Sequence, residues 1–394
     1  MRALEILHTR LSNAMAFMHK ARWNAVWLVV QGLIAGERLW LTGLGRARPG
    51  NARVKHAIKA VDRLLGNRAL YADRYRIYRA LAQQVLSPRA TPVILVDSVE
   101  VRAGWYALVA SVPFRGRSFP IYSWAHRSPK PNSTMLKRFI GGLRKVIPED
   151  CRPVLVTDAA FESVWFDAVA AVGWDYVGRV RNGTKLLVDG RWMGNKTVHR
   201  RATNRAKNLG FVSFPKKRPS PRRMVLAKKP KSKHRRALNR SGKVGRKGQT
   251  KDHRRSAREP WLLATSLTVR PSVVIDVFAL RMRIEETFRD AKNFRCGWSL
   301  RHCGCRTRPR LETLLLVGAL GFFVQQIVGL AAENLGLHRA HQANTERRRR
   351  VLSIFVLGGL VLRGDEIEQI PSAAIRLAAA QVQAVTCTLR SASG

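Results

Sequence analysis

The chain has 394 residues, and its 72 Lys and Arg against 25 Asp and Glu give a formal charge of +47 at pH 7. Solubility of a small domain asks for a net charge of only about 2 to 8, so the excess points to a polyanion bound through its phosphates. Five cysteines, Cys151, Cys296, Cys303, Cys305 and Cys387, form no CxxC pair and no common zinc spacing, which excludes a disulfide framework and favours free thiols in a reducing cytoplasm.

Hydrophobic residues make up 46% of the chain, enough to bury a core across two or three domains. The opening MRALEILHTRLSNAMAFMHK mixes charge with apolar residues, so no secretory signal is expected. Residues 1–88 read as helical, with apolar residues at helical spacing in NAVWLVVQGLIAGERLW and VKHAIKAVDRLLGNRAL, broken by GLGRARPGN. Two basic helices across a turn suit DNA reading, although a plain helical bundle gives the same pattern.

From Thr91 the runs PVILVDSVEV, GWYALVASVPF and SFPIYSWAH predict a three-stranded meander. MLKRFIGGLRKVI predicts a helix, PVLVTD a buried strand, and FESVWFDAVAAVG a second helix. A basic stretch from Lys196 to Arg258, whose single acid is Asp252, has the composition of a disordered tail but lies inside the chain. It is therefore expected to be an insertion that grips DNA. WLLATSL returns the chain to a strand, and one helix is predicted from about Val273 to Asn293. The C-terminal third reads as apolar helices around the basic turn before VLSIFVLGGLVL. Within it, residues 314–332 approach membrane-spanning length, but Gln325 and Gln326 at the centre and flanking charges mark a buried helix. Strands interspersed with helices, then helices alone, indicate an α/β core with helical additions.

Two acids, Asp97 and Asp158, end the similar apolar runs PVILVD and PVLVTD. A carboxylate beside a buried strand is costly unless paired, hydrogen-bonded or bound to a cation, and carboxylate oxygens suit Mg2+. Each acid alone could equally cap a helix or bond a turn. A projection of FALRMRIEETFRDAK at helical spacing aligns Val277, Leu280, Ile284, Phe288 and Ala291 as an apolar stripe. Phe278, Arg281, Glu285 and Lys292 fall in a wedge about 60° wide beside it, while Arg283, Glu286 and Asp290 point away as solvated surface. Taken alone, Arg281 and Glu285 read as an ordinary i,i+4 surface pair.

The run Phe278-x2-Arg281-x3-Glu285-x6-Lys292 resembles the Tyr-Arg-Glu-Lys signature of bacterial DDE transposases of the insertion sequence 4 family. PVILVDS resembles that family's first-aspartate strand, PVLVTDAAFESVWFDAVAAVGWDYVGRVR its second-aspartate strand and helix, and EPWLLATSL its lead-in to the glutamate helix, over roughly residues 50–360. The resemblance implies an α/β fold in which a ribonuclease-H-like mixed sheet is flanked by helices, with a basic β-rich insertion and helical N- and C-terminal regions. The corresponding organisation is a helical DNA-binding region at 1–88, a catalytic core at 89–181 and 261–309 split by the insertion at 182–260, and a helical region at 310–394.

It further implies that Asp97, Asp158 and Glu285 are catalytic and hold two Mg2+ ions, for which Mn2+ can substitute, and that Arg281 and Lys292 hold DNA phosphate. Phe278 stands where the family has Tyr, keeping the ring at this DNA-binding position and losing the hydroxyl. The expected activity is cleavage and strand transfer at the terminal inverted repeats of an insertion sequence, into target DNA, by a homodimer on DNA in the bacterial cytoplasm with no membrane partner. A transposase-derived protein that only binds nucleic acid, and a ribonuclease-H-like nuclease that cuts without joining, share many of these features.

Overall fold

The computed structural model describes residues 2–181, 183–228, 259–294, 297–346 and 350–385. The chain divides into two units, Met1–Pro153 with Arg281–Arg390, and Val154–Leu280.

The first unit begins with α1 (Arg2–Ala14), α2 (Lys20–Gly36), α3 (Leu41–Ala47), α4 (Val54–Leu65) and α5 (Arg68–Val85). Their ends follow local chemistry: the Asn67 side chain accepts the Leu70 N–H at 2.8 Å and starts α5. The Gly-rich run expected as a plain break is partly helical, because α3 packs against both α2 and α4. Next come β1 (Val93–Arg102), β2 (Trp105–Phe114) and β3 (Arg117–His126), the antiparallel meander that the apolar runs predicted. Arg115 and Gly116, both at positive φ, make the two-residue turn between β2 and β3. An Asn132 cap then starts α6 (Ser133–Arg144).

The second unit opens with β4 (Val154–Thr157), α7 (Ser163–Ala170) and β5 (Asp175–Arg179). The helix carries the chain back so that β5 runs parallel to β4. There follow β6 (Lys185–Val188), β7 (Arg191–Gly194), the short α8 (Asn195–His199), β8 (Lys207–Phe214), β9 (Ser220–Ala227) and β10 (Trp261–Thr265). Their order in the sheet is β4-β5-β10-β9-β8-β6-β7, and because β10 is antiparallel to β5 the sheet is mixed. Four of these strands come from the expected insertion, so its described part is β-rich. KKPKSKHRR beyond Lys228, and all of GRKGQTKDHRR, lie outside the described residues.

The unit ends with α9 (Pro271–Ala279), which has Pro at its first position, where no N–H is needed. The chain re-enters the first unit as α10 (Met282–Lys292). The single helix expected from Val273 to Asn293 is thus two. At the junction Leu280 N–H bonds Val277 O and Ile284 N–H bonds Arg281 O, tight i→i+3 links at 3.2 Å each. No Gly or Pro marks the break.

The first unit closes with α11 (Arg308–Asn334), α12 (Ile354–Arg363) and α13 (Ser372–Val385). By length and hydropathy α11 could cross a membrane, but its apolar stretch is buried against β3, α2, α5, α12 and α13. Its central amides donate inside: Gln325 to Phe355 O at 2.8 Å and Gln326 to Ser118 O at 3.1 Å. Glu312 accepts the Ala125 N–H at 3.1 Å and pairs with Arg308 at 2.7 Å and Arg74 at 3.3 Å. The structure is α/β, a mixed sheet flanked by helices.

Where α11 crosses α12 the backbones touch. A Cβ on Gly329 would overlap the Ile354 carbonyl, and one on Gly358 the Gln325 carbonyl. Backbone cannot rotate away as a side chain does, so Gly329→Ala or Gly358→Ala is expected to cost about 2–3 kcal/mol through overpacking. Urea unfolding checks this, with an exposed Gly141→Ala, whose Cβ meets nothing, as the control.

Candidate active site

Asp97 lies in the middle of β1, opposite Val109 of β2, with five further strand residues after it. In the sequence the apolar run ends at this acid. Burial alternates beyond it, and the strand continues past the first polar side chain. Asp97 Oδ1 accepts the Ser98 N–H at 2.7 Å. Its other oxygen, Oδ2, lies 3.6 Å from the Arg281 guanidinium, which also contacts Glu285 Oε1 at 2.6 Å. Arg281 is the residue before α10 and Glu285 sits in that helix's first turn, so one turn of chain brings the cation and the second acid to the first.

Lys292, at the other end of α10, is half-buried. Burial lowers the pKa of its ammonium, and Arg301 lowers it further, while Glu100 and Asp97 raise it. Two carboxylates thus converge on a guanidinium, with an ammonium within electrostatic reach of one of them. Such a pair of oxygen donors around a positive charge is also what a hard divalent cation takes.

Asp158 belongs to the second unit, immediately after β4, where its Oδ1 accepts the Ala160 N–H at 2.8 Å in a turn. It lines an open cleft of about 1090 Å³, together with Phe214 and the basic residues Arg181, Lys185, Lys216 and Lys217. The basic stretch is visible in the sequence but this cleft is not, because its residues come from three separate segments. Phe278 is also in the second unit, on α9, and is buried with its ring edge-on to Trp261 at 5.0 Å. The four signature positions therefore do not share one helix. Among the described residues no three His, Cys, Asp or Glu side chains gather to hold a metal.

Asp290, expected as solvated surface, is 6% exposed. Arg117 of β3 grips it at 2.5 Å and 3.4 Å. Burial raises its pKa and the Arg117 hydrogen bond lowers it. Next to it, the buried Thr287 hydroxyl accepts the Ser118 N–H at 2.8 Å. A helical projection assumes one buried face, but α10 is held on two. Glu286, half-buried, pairs with Arg289 at 2.7 Å. Cys151, Cys303 and Cys305 are buried free thiols, with burial pushing Cys305 up to about 11, while Cys296 and Cys387 lie outside the described residues.

A protein-family model described as the transposase DDE domain matches residues 88–321, more than half of the chain. The chain belongs to that family, and its α/β fold is ribonuclease-H-like. No curated protein matches the chain.

Two of the three acids on α10, Asp290 and Glu285, differ in what they do for folding. Asp290→Asn removes the charge that compensates a mostly buried Arg117 and is expected to cost about 2 kcal/mol. Glu285→Gln, at a half-open i,i+4 pair, is expected to change stability by about 0.5 kcal/mol or less. Denaturant unfolding of the two variants side by side checks the contrast.

Proposed function

We propose that the chain is a transposase of the insertion sequence 4 kind, which binds the ends of a mobile element, cuts the DNA there and joins the ends to a target. The observation that carries this is the convergence of Asp97 and Glu285 on Arg281 in a chain of the transposase DDE-domain family.

Asp97, Asp158 and Glu285 would hold two Mg2+ ions, or Mn2+ in their place, and the all-oxygen donor set fits such hard cations. When bound, the ions supply an activated water or 3′-hydroxyl and neutralise charge at the leaving oxygen. Arg281 keeps two like charges close by compensating them, and its planar fork suits a phosphate oxygen pair. Lys292 offers a compact positive charge near Asp97, partly desolvated and so stronger toward an anion than one in bulk water. The basic cleft beside Asp158 and the insertion hold the strand through its phosphates, which sets register without reading sequence. Residues 1–88 read the terminal inverted repeats, and a homodimer forms on DNA in the nucleoid-associated cytoplasm. Phe278 contributes by packing on Trp261; the hydroxyl it lacks removes one polar contact and leaves the acids unaffected.

Asp97→Asn, Asp158→Asn and Glu285→Gln are each expected to reduce Mg2+-dependent cleavage of element-end DNA to background while keeping DNA affinity within about two-fold, since phosphate neutralisation dominates binding. Gel assays of nicking and of joining to a plasmid target check this. Cleavage retained in any variant removes that residue from the site, binding without products identifies a non-catalytic protein, and cutting without joined product identifies a nuclease.

A further inference from the structure

The second unit holds a carboxylate that the reaction as described does not use. Glu259 Oε2 accepts from Arg179 at 2.9 Å and lies 3.2 Å from the Arg181 guanidinium. Its Oε1 is 3.9 Å from His199 Nδ1. Arg179 ends β5 and Arg181 follows two residues later, the spacing that puts side chains of an extended chain on one side. Both arginines line the cleft that also contains Asp158, Lys185, Lys216 and Lys217.

Donors outnumber acceptors around this carboxylate. It faces two guanidiniums, and burial lowers the pKa of His199, so the imidazole is mostly neutral at pH 7. Among the described residues His199 Nε2 and, one helical turn earlier on α8, Asn195 Nδ2 are buried without a hydrogen-bond partner. Unused buried polar groups around one shared carboxylate fit a ligand that brings more oxygens than a carboxylate has.

Glu259 is also placed to leave. It stands two residues before β10, and the pairing of that strand begins at Trp261, so moving the Glu259 side chain disturbs no ladder bond. A DNA phosphodiester carries the same single negative charge on two terminal oxygens and suits the same pair of guanidiniums. We propose that Glu259 is a placeholder for a backbone phosphate: when DNA enters the cleft beside Asp158, a phosphate takes Arg179 and Arg181 and the carboxylate swings out. This rests on the transposase reading above, in which that cleft holds the strand. In a chain of charge +47, internal neutralisation of this kind weakens the hold on any passing polyanion, because arginines already paired with a carboxylate release no counterions on binding.

Two measurements on the full chain in metal-free buffer, where binding is separated from cleavage, test this. Carbodiimide amidation of carboxylates, read by mass spectrometry on the wild type, is expected to rise at Glu259 when duplex DNA is added and to stay level at Asp276, an exposed acid of α9. Glu259→Gln is expected to bind the duplex about ten-fold more tightly at low salt, the worth of one hydrogen bond to a charged group. It is also expected to steepen the fall of log affinity with log salt by about 0.9 for each phosphate newly gripped. Asp276→Asn, the same change of charge elsewhere on the unit, is expected to stay within about two-fold with its slope unchanged. Adding Arg181→Gln to Glu259→Gln is expected to remove the gain. Amidation at Glu259 that falls or stays level with DNA, a Glu259→Gln affinity and slope like those of Asp276→Asn, or a gain that survives Arg181→Gln each overturns the proposal. The amidation needs no variant, so it decides even where a substitution unfolds the chain. Failure of the transposase reading appears separately, as a wild type that cuts no element-end DNA in Mg2+ whatever Glu259 does.

Discussion

The position of the candidate site in the first unit depends on one buried polar junction at Ser118. Its carbonyl accepts from Gln326 of α11, and its N–H donates to Thr287 of α10. All three residues are buried, so a shift of α10 by one residue would leave these polar groups without partners at a cost of about 1–3 kcal/mol each. Apolar packing alone does not impose that penalty, since an aliphatic face slides with little change in area. The junction, with Arg117 on Asp290 one turn further along, sets the register of α10 and so brings Glu285 to Asp97.

Environment, not residue type, separates the acids of this helix. Asp290 is enclosed and bound by an arginine from β3, and it serves packing. Glu285 is more open and shares its arginine with another acid, an arrangement of little use to stability. Carboxylates that contribute little to folding yet are kept together by a compensating cation are expected where a site needs negative charge for a ligand. The same contrast appears within α11, where Glu312 is paired on all sides in the core and is read as structural.

Much of this was legible in the sequence. The meander followed from three apolar runs with short turns between them, and two central glutamines distinguished a buried helix from a membrane span. The pairing of Arg281 with Glu285 followed from spacing of four on a helix. What escaped were features set by partners far along the chain. The break between α9 and α10 has no helix-breaking residue, so propensity gave no signal. Asp290 looked like surface because nothing local marks Arg117, 173 positions away, as its partner. The cleft beside Asp158 draws on three separate segments, and no short window on the sequence contains them.

The interrupted path of the first unit has a consequence for synthesis. Its strands and early helices emerge first, but α10 and α11, which cover them, follow only after the whole second unit has been made. The second unit is continuous in sequence and can complete on emergence, whereas β1 to β3 must wait with their apolar faces uncovered. The nascent chain therefore passes through a stage that carries much of its positive charge without the Arg281 and Glu285 contacts. Such a chain can engage nucleic acid before its candidate reaction centre has formed.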